Sequence, residues 1–138
     1  IDNVRLHVKE AIESIPPCTK VTYVVGEAER IPFCSTVDLV FYSYSWNFIT
    51  NFDKALQEAD RVLKPGGIIA VLEPTEDSRN WANPEMNLKS ENFNEELYRR
   101  KIEKIRKAEE ALHKQKTFRL FEENRDNGGA FSLFVLGR

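Results

Sequence analysis

The segment Arg61 to Pro74, RVLKPGGIIAVLEP, constrains the fold more than any other stretch. Upstream of it, Phe52, Ala55, Leu56, Ala59, Val62 and Leu63 recur at helical spacing over Asn51–Lys64, and Asn51 stands where an N-cap is expected. Pro65 cannot continue the helix, and Gly66-Gly67 predict a left-handed C-terminal cap. The run Ile68–Leu72 then reads as a strand. A helix that reverses into a strand within one tight loop is the αβ half of a crossover unit, and it implies parallel pairing with right-handed connections.

The rest of the chain agrees with that layout. Val4–Ile15 has apolar residues at spacings of three and four and is stopped by Pro16-Pro17, which predicts a helix. Lys20–Val25 and Val37–Tyr42 are rich in β-branched and aromatic residues and read as strands. The near-continuous apolar character of Val37–Tyr42 suits a strand covered on both faces. Glu73–Glu91 reads as a polar loop, and Asn92–Gln115 as a charged helix with a narrow stripe of Ile102, Ile105, Ala108 and Leu112. Thr117–Glu123 and Ala130–Leu136 are strands joined by NRDNGG, a hairpin signal. The 138 residues suit one α/β domain, 1–138, with a mostly parallel sheet closed by an antiparallel C-terminal hairpin.

Twenty Lys and Arg balance 22 Asp and Glu, for a net charge of -2. No basic patch accompanies this balance, so a nucleic-acid partner is not expected. Cys18 and Cys34 form neither a CxxC pair nor a metal-ligand cluster, which predicts reduced thiols in a cytoplasmic protein and no metal. No run approaches the length of a membrane span.

In an open α/β sheet, ligands bind beyond the carboxyl ends of the strands. Three such ends carry polar residues: GEAERIPF (Gly26–Phe33), SYSWNF (Ser43–Phe48) and EPTED (Glu73–Asp77). The order and spacing of GEAERIPF, VDLVFYS and KALQEADRVLKPGG resemble the class I S-adenosylmethionine-dependent methyltransferases. The spacing from Asp38 through Leu72 is similar to that of the quinone C-methyltransferases, and GGAFSLFVLGR looks like the family's closing hairpin.

The resemblance implies a Rossmann-like fold, S-adenosyl-L-methionine as cofactor, and methyl transfer to an O, N or C nucleophile of a small molecule. It implies four cofactor-binding residues. Asp2 would hold the ribose hydroxyls, a task that suits a carboxylate's two acceptor oxygens, although it could equally cap the first helix. Glu27 would accept from the adenine amino group, and the backbone N–H of Ala28 would meet the adenine ring. Ser43 would line the methionine part. Tyr44, Trp46 and Phe48 fall where such enzymes face cofactor and acceptor, and none of them is singled out as a general base. Residues 75–116 correspond to the variable cap that selects the acceptor.

The resemblance also implies a glycine-rich loop after a first strand, because the cofactor approaches that backbone closely. The 138 residues contain no such loop. This predicts an N-terminally truncated methyltransferase domain. Alternatives are a non-catalytic methyltransferase-like binding module, or a tRNA or protein methyltransferase.

Overall fold

A computed structural model of the chain describes residues 1, 5–14, 22, 24–34, 36–75, 90–125 and 131–138. The elements are α1 (Arg5–Ser14), β1 (Val37–Ser43), a 3-10 turn (Trp46–Phe48), α2 (Phe52–Val62), β2 (Leu63–Pro74), α3 (Glu95–Lys114), β3 (Arg119–Arg125) and β4 (Phe131–Gly137). The four strands form one sheet in the order β1-β2-β4-β3. β1 and β2 run parallel, whereas β4 is antiparallel to both β2 and β3. The α/β layout and the C-terminal antiparallel pair match the sequence expectation. Of the strand expected over Lys20–Val25, only Thr22, Val24 and Val25 lie among the described residues, and none joins this sheet.

α2 forms where its side chains dictate. The Asn51 side chain accepts from Lys54 N–H at 3.0 Å, capping the helix as expected, and Asp53 and Arg61 complement the helix dipole at its two ends. Ala55, Leu56, Ala59 and Val62 are buried against the sheet. The helix end differs from expectation. It stops at Val62, and Leu63 already pairs with Val37 of β1. A residue before proline disfavours the α region, so Lys64 cannot extend the helix. Lys64–Gly67 therefore forms a bulge at the start of β2, between the Val37↔Leu63 and Leu39↔Ile68 pairs. Gly66 takes φ +81° there, and a Cβ on Gly67 would lie 3.1 Å from the Asp38 carbonyl oxygen.

The core is asymmetric about the sheet. Tyr42, Ile69, Val71, Phe134 and Leu136 pack with Ala55, Leu56, Ala59, Ala108 and Leu112 of α2 and α3. α3 is capped by Asn94, which accepts from Leu97 N–H at 3.0 Å, and it buries the stripe Ile102, Ile105, Ala108 and Leu112. The opposite side of β1 is open, with Leu39 49% and Phe41 53% exposed. The expectation that β1 is covered on both faces is therefore not met among the described residues. A continuous apolar run is equally compatible with one open face.

Candidate functional site

The turn Gly26–Cys34 is strapped onto α2. One Glu29 carboxylate oxygen accepts from Thr50 N–H, Thr50 Oγ1 and Asn51 N–H at 2.7–2.8 Å. The Glu58 carboxylate accepts from Ile31 N–H at 2.9 Å. Arg61 donates to the Ile31 and Phe33 carbonyls at 2.9 and 3.0 Å, while its guanidinium also pairs with Glu58. Two of the stretches that carry the family resemblance thus interlock: Glu29 of GEAERIPF grips the start of α2, and Arg61 of RVLKPGG grips IPF.

The eight residues 44–51 connect the carboxyl end of β1 to α2, and Glu29 ties the turn to the last two of them, Thr50 and Asn51. Within the turn, Arg30 N–H bonds to the Glu27 carbonyl at 3.0 Å. Glu27 is exposed, and Ala28 is half-buried against the core.

The hydrogen bonds from Asn51 N–H and from Thr50 hold the Glu29 carboxyl below its ordinary value of 4.5. A depressed carboxylate pKa contributes stability that is present above the unfolded value and lost as pH falls through the folded one. Glu29→Gln is therefore expected to destabilise the protein at pH 7, and the difference from the parent should shrink as pH is lowered below 4.5. Thermal unfolding of both proteins across that range checks this; a difference that stays constant with pH would contradict it.

Ser43 ends β1 opposite Leu72 and is exposed. The next residue, Tyr44, has φ 53°, the one positive-φ non-glycine among the described residues, and its N–H donates to the Leu72 carbonyl at 2.8 Å. Such a conformation costs about 1–3 kcal/mol for a side chain of this bulk and tends to occur at functional sites. The Tyr44 ring meets Phe131 edge to face at 5.6 Å, and both rings are partly exposed. Phe48 is 67% exposed, with Lys101 Nζ 4.0 Å from its ring centroid.

Beneath this rim lies a polar group from the SYSWNF and EPTED strand ends whose members have no role assigned from the sequence. Along β2 the inward residues pair with β4 as Ile69↔Leu136, Val71↔Phe134 and Glu73↔Ser132, two apolar rows followed by a polar one. Glu73 is 2% exposed, and its carboxylate accepts from Trp46 N–H at 2.6 Å and from the Asn47 side-chain amide. Lys101 of α3 donates to the Asn47 side-chain oxygen. Burial pushes the Glu73 carboxyl up, opposed by these hydrogen bonds and by Lys101, and burial pulls the Lys101 ammonium down. Trp46 is fully buried, and its indole N–H donates to the Ala108 carbonyl of α3 at 3.0 Å.

Glu27 and Ala28 thus lie in the turn that Glu29 ties to Thr50 and Asn51, and Ser43 ends β1. Asp2 lies outside the described residues. Of the flanking aromatics, Trp46 is core, whereas Tyr44 and Phe48 face outward. A cavity of about 450 Å³ between the start of α2 and the end of α3 includes none of the candidate residues. The sequence expectation puts Glu73 at the start of a loop, yet the strand runs on to Pro74. Extending the alternation Ile69, Val71 by one step places Glu73 on the inner face. No helix among the described residues is long and apolar enough to cross a membrane.

Residues 1–71 match the family described as "Methyltransferase domain". The chain is 41% identical over 66 residues to the ubiquinone/menaquinone biosynthesis C-methyltransferase UbiE of Pasteurella multocida, covering 47% of this chain and 25% of that protein. It is 38% identical over 66 residues to the same enzyme of Haemophilus ducreyi, covering 47% and 26%. The aligned region thus spans about a quarter of these curated relatives. Among solved structures, a SAM-dependent methyltransferase from Aquifex aeolicus superposes with TM-score 0.67 at 21% identity, covering 98% of this chain and 65% of the other. A S-adenosylmethionine-dependent methyltransferase from Clostridium acetobutylicum follows with TM-score 0.57 at 10% identity, covering 98% and 72%. These two likenesses establish the fold.

Proposed function

This chain belongs to the methyltransferase domain family, and from that premise we propose that it carries the adenine-contacting turn and the acceptor-facing strand end of an S-adenosylmethionine-dependent small-molecule methyltransferase. The observation that carries this reading is the Gly26–Cys34 turn, tied to the start of α2 by Glu29 and to the end of α2 by Glu58 and Arg61. That strapping leaves the Glu27 carboxylate exposed beside a small side chain at Ala28. The donor set fits adenine: a carboxylate accepts from an exocyclic amino group, and alanine lets a flat base approach. In this reading Ser43 lines the methionine portion and Asp2 holds the ribose.

The bound cofactor supplies an activated sulfonium methyl, so the protein's own residues orient the reactants and exclude water. Tyr44, Phe48 and Phe131 give the strand ends an aromatic rim, which favours a flat apolar acceptor. With the relatives being C-methyltransferases of ubiquinone and menaquinone biosynthesis, this supports a reduced quinone-like ring as acceptor. Residues 75–116, which include α3, form the part that selects the acceptor. An exposed free Cys34 fits a reducing cytoplasmic setting.

Glu27→Ala tests the reading. Removing a charge-assisted hydrogen bond should weaken S-adenosylmethionine binding about 10- to 150-fold. Calorimetric titration of the protein as encoded reads this directly, and unchanged affinity would sink the assignment.

A further inference from the structure

The buried face of the sheet stays apolar along β2 until its last inward row, where Glu73 faces Ser132. Both are at least 98% buried, and the Ser132 hydroxyl has no hydrogen-bond partner among the described residues. A third apolar pair would have avoided every unsatisfied group in this row, so stability alone does not account for a carboxylate there. What Glu73 does instead is grip the turn that follows β1. One oxygen accepts from Trp46 N–H and the other from the Asn47 amide. This turn lies between Tyr44 and α2 and carries Phe48, so both outward aromatic rings depend on where it sits.

The chain of bonds has a direction. A backbone N–H can only donate, and so can an ammonium group. With Trp46 N–H and Lys101 Nζ both donating, the Asn47 amide must turn its oxygen to Lys101 and its nitrogen to Glu73. Position 73 must then accept on both oxygens, which a carboxylate does and a carboxamide does not.

We propose that Glu73 is a positioning residue for the methyl acceptor: through the directed chain Glu73–Asn47–Lys101 it fixes the Trp46–Phe48 turn, and with it Tyr44 and Phe48, against α3. The acceptor part of this proposal rests on the function proposed above. The fixing of the turn does not.

The direction of the chain supplies the test. Glu73→Gln puts an amide donor opposite the Asn47 amide nitrogen. If Asn47 turns over to meet it, its nitrogen then faces the Lys101 ammonium, donor against donor. Lys101→Glu alone sets an acceptor against the Asn47 oxygen. Combining Glu73→Gln with Lys101→Glu reverses the side-chain bonds along the chain while keeping an acceptor for the Trp46 N–H. The new carboxamide at position 73 accepts from Trp46 N–H and donates to the Asn47 oxygen, and the Asn47 nitrogen donates to the new carboxylate at position 101. Each single variant should break the clamp, and the double should restore it.

Two measurements on the protein as encoded read the outcome. Amide hydrogen exchange at Trp46 should speed up at least about tenfold in each single variant and return to within about threefold of the parent in the double. With 1,4-naphthohydroquinone as acceptor probe, each single variant should raise the KM for the hydroquinone about tenfold or more, with the KM for S-adenosylmethionine changing less than about twofold. The double variant should recover part of the acceptor KM, because it restores the chain of bonds but not the Lys101 ammonium over the Phe48 ring.

Parent-like exchange in Glu73→Gln and Lys101→Glu would overturn the proposal. So would a double variant no better than the singles, or a loss of S-adenosylmethionine KM parallel to that of the acceptor. Should Glu73→Gln not fold, Lys101→Glu at the half-buried end of the chain, with its rescue by the double, decides the same question. If the parent binds S-adenosylmethionine but transfers no methyl to the hydroquinone, the quinone-like acceptor is wrong, and the exchange measurement decides the clamp by itself.

Discussion

Trp46→Ala is expected to lower the free energy of unfolding by about 3–5 kcal/mol, the usual cost of emptying a large buried aromatic site. Trp46 has 0% exposure and touches both Tyr42, at 5.0 Å between ring centroids, and Phe52, at 5.3 Å. The substitution leaves a cavity between the turn and α3 and removes the donor to the Ala108 carbonyl. Two costs thus fall on one residue, which is why this change should exceed a Leu56→Ala or Ile105→Ala substitution at positions equally buried. Urea unfolding of the variant should show a shifted midpoint with a similar slope. A loss below about 1 kcal/mol would mean that α3 does not depend on the indole for its docking.

The second large effect is expected at Glu73→Ala. The change leaves the Trp46 N–H and the Asn47 side-chain amide without their acceptor and removes the carboxylate that faces the half-buried Lys101 across Asn47. Leaving these buried donors unsatisfied costs about 1–3 kcal/mol each. Proton linkage shows that this cost does not reflect a favourable pair. The Glu73 pKa is raised in the fold, so its ionisation takes away stability as pH rises through the folded value. The Lys101 pKa is lowered, so its protonation takes away stability as pH falls through the folded value. Burial thus opposes the charged form of each group. Replacing both residues together, as Glu73→Leu with Lys101→Met, should therefore be milder than Glu73→Ala alone. Denaturant unfolding of the parent and both variants measures the difference, and a double variant less stable than Glu73→Ala would refute this account.

The parts of the fold that are legible in the sequence are those written in periodicity and local chemistry. α2 and α3 show their buried stripes, and α2 its Asn51 cap, in the residue order itself, and the β3–β4 pairing follows from the NGG turn signal between them. The end of α2 departs from expectation because two local rules compete at Lys64-Pro65-Gly66-Gly67. The glycines suggest a left-handed cap, whereas the proline expels its predecessor from the helix first, and pairing of Leu63 with Val37 completes the exit.

At the candidate site, the turn carrying Glu27 and Ala28 is legible through its resemblance to a family. The reason the turn holds its shape is not. Glu29, Glu58 and Arg61 are common surface residue types, and only the fold brings residues 21 to 30 positions apart within hydrogen-bonding distance. Glu73 stays hidden for a different reason. A lone acid at the end of an apolar run reads as the edge of a loop until its strand partner Ser132 and the donors from Trp46 and Asn47 are known.

The bond from the Trp46 indole ends on the main-chain oxygen of Ala108, not on a side chain. Every residue in a helix offers such an oxygen, so the anchorage asks only that position 108 be small and that the helix keep its phase. Side chains on the outer surface of α3 are thereby released from the duty of docking it. Natural variation and deliberate recombination can rewrite most of that helix, in the manner of an exchangeable cassette, while the sheet beneath it keeps one unchanging socket.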